Sequence, residues 1–309
     1  MKNTKPKVRL WSVLTGLTAI LTVAAIVGNI IANQYATTLN VALNASTYKI
    51  IHGENTGDTE YFKKGFASDE EREAYEAELC ATVEAEGAAL LKNENNALPL
   101  ASGAKVSLFG HGSVDLMYGG TGSGSVDTSK APNLKQALEA QGITINQTLW
   151  DLYSSDSMMS KYSRMTPASI SDTLEANTQY AVNEAPWSAL SSAESSFAEY
   201  GDAAIVVLSR SGGEGADLPS GENGTNDSWI SGQEGDGNYL ALSAEELELL
   251  QNLKALKDNG TFQSIIVLIN SSNAIEMDFL NPEICGEDYG IDAAMWIGDV
   301  GQTGINGVA

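Results

Sequence analysis

The sequence predicts an α/β fold: a three-layer α/β/α sandwich with a mostly parallel sheet, preceded by a transmembrane helix. Three observations predict it. Short β-branched apolar runs at 203–208, 264–270 and 292–298 have the composition of strands buried on both faces. Segments with helical caps and spacing stand between them, and such alternation is the pattern of a parallel sheet covered on both sides. Ahead of all this, an uncharged apolar run from Trp11 to about Ala32 is long enough to cross a bilayer core of ~30 Å as a helix.

In chain order, Lys2, Lys5, Lys7 and Arg9 precede that run and no basic residue follows it closely, so the amino end is expected in the cytoplasm and the remainder outside the cell. The competing reading is a cleaved signal peptide, with which the length of the run fits less well. Residues 1–36 therefore read as tail and anchor. Residues 37–68 read as an extracellular spacer with a short packed segment near Tyr61-Phe62, and 69–309 as the folded domain. Ser68, followed by Asp69, Glu70 and Glu71, predicts a helix start, since a serine caps and acids favour the positive end of the dipole. Tyr75, Leu79, Val83 and Ala88 continue it at helical spacing, and Leu90-Leu91 prolongs the stripe.

Residues 105–110 are the first core strand, and a glycine-rich loop at 118–126 follows it. Pro132 to Gly142 reads as a helix with proline in its first turn and glycine at its end. Ile143-Thr144-Ile145 is the next strand. Residues 151–198 give weak periodicity and read as helical turns and connections. The order then repeats: strand 203–208, a second glycine-rich loop, a polar insertion through Gly237, helix 243–258, strand 264–270, a short helix or turn near Met277, and strand 292–298. Residues 301–309 open a further helix. A domain seldom finishes inside an element, so a fragment of a longer protein is expected.

Composition narrows the function. Of 309 residues, 40 are acidic and 17 basic, a formal charge of −23 that repels phosphate backbones and anionic head groups, so nucleic acid is not an expected partner. Cys80 and Cys285 form no CxxC pattern and His52 and His111 no metal-ligand spacing, so neither a structural metal nor a cofactor is expected. The cysteines read as two isolated core residues, although a single bridge between them is compatible with the sequence. The loop around Gly120-Thr121-Gly122 lies too far beyond its strand for a dinucleotide fingerprint, and no Gly-Lys-Ser/Thr follows. It is either a plain flexible loop or a neutral wall that a sugar could approach closely at Tyr118, Gly120 and Thr121, with Tyr118 and Trp150 as stacking surfaces. No Gly-x-Ser-x-Gly elbow is present, so acid/base chemistry falls to carboxylates.

The best-presented carboxylate is Glu214. It follows the 203–208 strand, in the crevice region outside the strand ends of open α/β sheets, and glycines on both sides let it stand out from the backbone. The alternative is a solvated glutamate in a glycine-rich loop. A glycosidase needs two carboxylates, and no equally good second one is present.

Taken in order, Glu86-Gly87-Ala88-Ala89-Leu90-Leu91-Lys92-Asn93, Ala97-Leu98-Pro99-Leu100, Phe109-Gly110, Gly119 to Gly124, Gly213-Glu214-Gly215-Ala216-Asp217, and Trp296-Ile297-Gly298 with Gly301-Gln302 form a series. The series resembles the α/β-sandwich domain of glycoside hydrolase family 3, the β-glucosidase and β-xylosidase group, over roughly residues 70–309. The resemblance implies that Glu214 is the general acid/base; Tyr118, Gly120, Thr121 and Asp217 are the candidate sugar contacts. It also implies that the nucleophilic aspartate sits on a separate (β/α)8 barrel of the same full-length protein, so this chain alone is expected to be inactive. With an anchor and spacer in front, the chain resembles the subgroup in which the barrel follows the sandwich. It departs from the family where Asp217 is followed by Leu218-Pro219 and not by arginine. A non-catalytic, surface-anchored carbohydrate-binding module is the other function compatible with the fold.

Overall fold

The computed structural model describes residues 5–43, 64–120, 122–164, 181–212 and 239–309. These fall into two compact units, residues 1–65 and 66–309. In the first, helix α1 (Lys5–Gln34) is followed by the shorter α2 (Ala36–Ala42). The span Leu10–Gln34 is long and apolar enough to cross a membrane, and its large apolar side chains stand exposed. The expected packed segment at Tyr61-Phe62 lies outside the described residues.

The second unit opens with α3 (Asp69–Gly87). Ser68 caps it by accepting from the Glu71 N–H at 3.2 Å, and the Glu71 carboxylate reaches back to the Ala67 N–H. The apolar stripe does not run on as helix. Residues 89–93 form strand β1 (Ala89–Asn93), which pairs antiparallel with the last strand, so Leu90 lies opposite Met295 and not on the face of α3. The remaining strands are β2 (Lys105–Phe109), β3 (Thr144–Ile145), β4 (Ala203–Arg210), β5 (Ile265–Ser271) and β6 (Ala293–Trp296). Among the described residues they form one sheet in the order β1-β6-β5-β4-β2-β3, parallel except for β1.

Strand β4 is central and buried along its whole length. Its side chains alternate between two cores, as a period of two demands. Ala204, Val206 and Leu208 join Phe109, Phe197 and Phe262. Ala203, Ile205 and Val207 join the other face with Leu134, Leu138 and Ile305. Helices α5 (Gln147–Tyr153), α6 (Asp156–Lys161) and α7 (Ala244–Asp258) cover the first face, and α4 (Leu134–Ala140) covers the second. Capping boxes start α4 and α7: Asn133 with Gln136, and Ser243 with Glu246. Asn133 takes the cap, so Pro132 lies just before the helix and not in its first turn.

The cysteines form no bridge, and Cys80 is not a core residue, whereas Cys285 packs against the edge of the first core. Both are free, Cys80 exposed on α3 and Cys285 half-buried.

Candidate active site

The two ends of the parallel sheet differ in how their polar groups are satisfied. At the amino ends of the strands, carboxylates close the edge: Asp202 accepts from the Lys105 N–H and Gln263, while Asp292 accepts from the Ile265 N–H, Asn95 and the Lys257 ammonium. At the carboxyl ends, three loops each leave one buried polar atom without a partner among the described residues: Nε2 of His111 after β2, Nδ2 of Asn273 after β5 and Oδ1 of Asp299 after β6. Buried polar atoms are nearly always bonded, so such a cluster sets this edge apart.

Chain order turns round at the same edge. From β2 the chain steps outward to β3, then crosses back to β4 on the other side of β2, and continues through β5 to β6. The switch point therefore lies between β2 and β4, where open α/β sheets leave a ligand crevice. The backbone is packed tightly there. Gly110 has φ +80°, and a Cβ on it would lie 2.7 Å from the Val207 carbonyl oxygen; one on Gly112 would collide with Ser209 Oγ. A Cβ on Gly212 would come within 2.5 Å of Asn273.

Behind the switch point, Glu184 takes the His111 N–H and ring Nδ1 on one oxygen, both at 2.9 Å, and the Ala185 N–H on the other. The Tyr153 hydroxyl accepts from the Gly110 N–H at 3.1 Å, and burial, aided by the charge of Glu184, pushes its pKa well above the usual phenol range. Asn270, at the end of β5, accepts from the Met117 N–H and donates to the carbonyls of Met117 and Gly298. It thereby stitches the loop after β2 to the exit of β6. Gly301 N–H donates to the Tyr118 carbonyl and Gln302 to that of Asp127, so the glycine-rich loop and the Gly301-Gln302 motif meet in space. The Tyr118 hydroxyl is spent on the Pro132 carbonyl at 2.9 Å, and Gly120 follows in the same loop. Thr121, Glu214 and Asp217 lie outside the described residues. Ser211 and Gly212, the last described residues before Glu214 in the chain, lie directly beyond β4.

The model of the glycosyl hydrolase family 3 C-terminal domain matches residues 88–309. The chain belongs to glycoside hydrolase family 3. Beta-glucosidase A of Butyrivibrio fibrisolvens is 34% identical over 146 residues, which is 45% of this chain and 15% of that protein. Among solved structures, a β-glucosidase from Paenibacillus barengoltzii superposes with a TM-score of 0.54 at 26% identity over 75% of this chain and 22% of its own. β-Glucosidase 3B of Thermotoga neapolitana in complex with glucose gives 0.54 at 23% identity over 77% and 29%, a likeness of fold. This family 3 chain thus spans less than a third of the length of these relatives.

The described edge of the family 3 domain also holds residues to which the sequence reading assigned no role: the Glu184–His111 pair, Arg164, which bonds Asp115 at 3.0 Å, and Asp299. Arg164 and Glu184 sit in a stretch of weak periodicity, and only contact across the sheet edge brings them to the site. Burial raises the pKa of Asp299 from 3.8, against bonds from Ser272 and the charge of Arg164. The folded protein then holds that proton to higher pH than the unfolded chain. Stability contributed by Asp299 falls as pH rises past 3.8 and stays lower above the raised value. Asp299→Asn is accordingly expected to gain in melting temperature relative to the parent as pH rises past 3.8. An offset that does not vary with pH would show that burial of the charge is not the cause.

Proposed function

We propose that this family 3 domain is part of a retaining β-glycosidase acting on terminal β-glucosides or related O-glycosides, and that Glu214 is its general acid/base. The observation that carries the reading is the position of Gly213-Glu214-Gly215 in the chain, directly after β4 at the switch point of a family 3 C-terminal domain. A nucleophilic carboxylate from a (β/α)8 barrel domain of the full-length protein would attack the anomeric carbon while Glu214 protonates the departing glycosidic oxygen. Glu214, now ionised, would then take a proton from the water that releases the sugar. Tyr118, Gly120, Thr121 and Asp217 would line the sugar pocket. Lys2, Lys5, Lys7 and Arg9 before the apolar helix support an anchor with the domain outside the cell.

The test is hydrolysis of an aryl β-glucoside by the full-length protein with Glu214→Ala, with and without azide. A fall in kcat of about 10²–10⁴ is expected, since that is the scale of acid/base catalysis. Azide, which needs no base, should restore turnover and yield a β-glycosyl azide. Unchanged turnover would remove Glu214 from the chemistry, and a parent protein that hydrolyses no glycoside would leave a carbohydrate-binding module as the better reading.

A further inference from the structure

Residues 213–238, which include Glu214, are flanked in the chain by Ser211-Gly212 and by Tyr239, and both flanks are held by one buried cation. Arg210, at the end of β4, is fully buried and uses all five of its N–H groups. Nε donates to the Tyr239 carbonyl at 2.7 Å. One terminal nitrogen donates to the Ser209 carbonyl at 2.9 Å and to Glu246 Oε1 at 2.8 Å. The other donates to the Ala241 carbonyl and to Glu246 Oε2, both at 2.7 Å. Glu246 is tied in turn to the first turn of α7, because Oε2 also accepts from the Ser243 N–H. The Tyr239 hydroxyl completes the closure from the returning side, accepting from the Ser211 N–H at 2.8 Å and donating to the Ser211 carbonyl at 3.1 Å. Exit and re-entry are thus locked to each other and to the cap of a core helix.

A buried ion pair gains little stability over well-packed apolar residues of the same size, because desolvation offsets the attraction. What such a pair supplies is direction: a planar guanidinium with five used donors allows one placement of the groups it bonds. Here those groups are the backbone on either side of the segment. Glu214 lies two residues past Gly212, a reach of at most about 7 Å, so the orientation of the Ser211-Gly212 backbone sets where its carboxylate can go. A catalytic group misplaced by about 1 Å can cost on the order of 10²-fold in rate.

We propose that Arg210, Glu246 and Tyr239 are positioning residues for the acid/base, holding the two flanks of the segment so that Glu214 meets the glycosidic oxygen. The proposal rests on the preceding reading of Glu214. A leaving-group series in the full-length protein separates the two. Departure of an alkoxide needs a proton from the acid, whereas dinitrophenolate departs almost without one, so a misplaced acid penalises an alkyl β-glucoside selectively. Tyr239→Phe keeps the ring and removes only the hydroxyl, so it serves where an Arg210 variant fails to fold. It is expected to lower kcat/KM about tenfold for an alkyl β-glucoside and less than about twofold for the dinitrophenyl β-glucoside. Arg210→Lys, which loses the fork, should show the same selectivity more strongly. Equal losses on both substrates, or none, while Glu214→Ala remains selective and rescued by azide, would overturn the positioning role and leave the acid/base reading intact. A Glu214→Ala enzyme with no leaving-group selectivity would overturn both.

Discussion

Replacing Arg210 with methionine while Glu246 remains is expected to lower the unfolding free energy by about 3–5 kcal/mol, the range for stranding one member of a buried ion pair. Both side chains are almost completely buried and lie 2.7 Å apart. Burial by itself would lower the Arg210 pKa, but the charge and bonds of Glu246 more than offset it, so the pKa stands above that of free arginine. Without the cation, Glu246 keeps among the described residues the bond from its own helix cap and is left as an uncompensated buried charge. The double substitution Arg210→Met/Glu246→Leu should recover most of the loss, less about 1 kcal/mol for the capping box. Urea titrations of the three proteins measure both effects. Failure of the double substitution to recover stability would mean that the backbone bonds of Arg210, and not the unpaired carboxylate, dominate.

The second large effect is expected at Phe109, the last residue of β2. It is fully buried and meets Phe197 edge-on with centroids 5.2 Å apart and Phe262 edge-on at 5.7 Å, while Trp187 lies nearly parallel at 6.3 Å. Phe109→Ala should cost about 3–5 kcal/mol, from lost transfer energy and the cavity left behind, with each aromatic pair adding roughly 0.5–1.5 kcal/mol. Because Gly110 and His111 follow immediately, the same cavity should loosen the switch point, and Trp187 fluorescence should shift to the red as water gains access. A loss below about 1 kcal/mol would show that the cluster collapses around the gap.

Much of this architecture was legible along the chain because its causes are local. The runs that became β4 and β5 are apolar throughout 203–208 and 265–269 and rich in β-branched residues, the composition of a strand covered on both faces. Ser68 and the Ser243–Glu246 box announce helix starts through bonds spanning three residues. The order of motifs was enough to suggest the family, and the glycines around Glu214, after a strand, are what the proposal of an acid/base there rests on.

What the tertiary structure alone decided involves partners far apart in sequence. Leu90 and Leu91 carry the same apolar signal whether they continue a helix or form a strand. The choice fell to the pairing of Ala89 with Trp296 and of Leu90 with Met295, since an edge strand is selected by the strand beside it. Cys80 has the composition of a core residue, yet α3 turns it outward. Arg210 reads as an ordinary charge at the end of a strand until Glu246 arrives 36 residues later, and His111 meets Glu184 across 73. Spacing along one helix or strand is set by backbone geometry and shows in the sequence. Burial of a charge depends on whether a distant partner arrives to neutralise it, and only the folded chain records that.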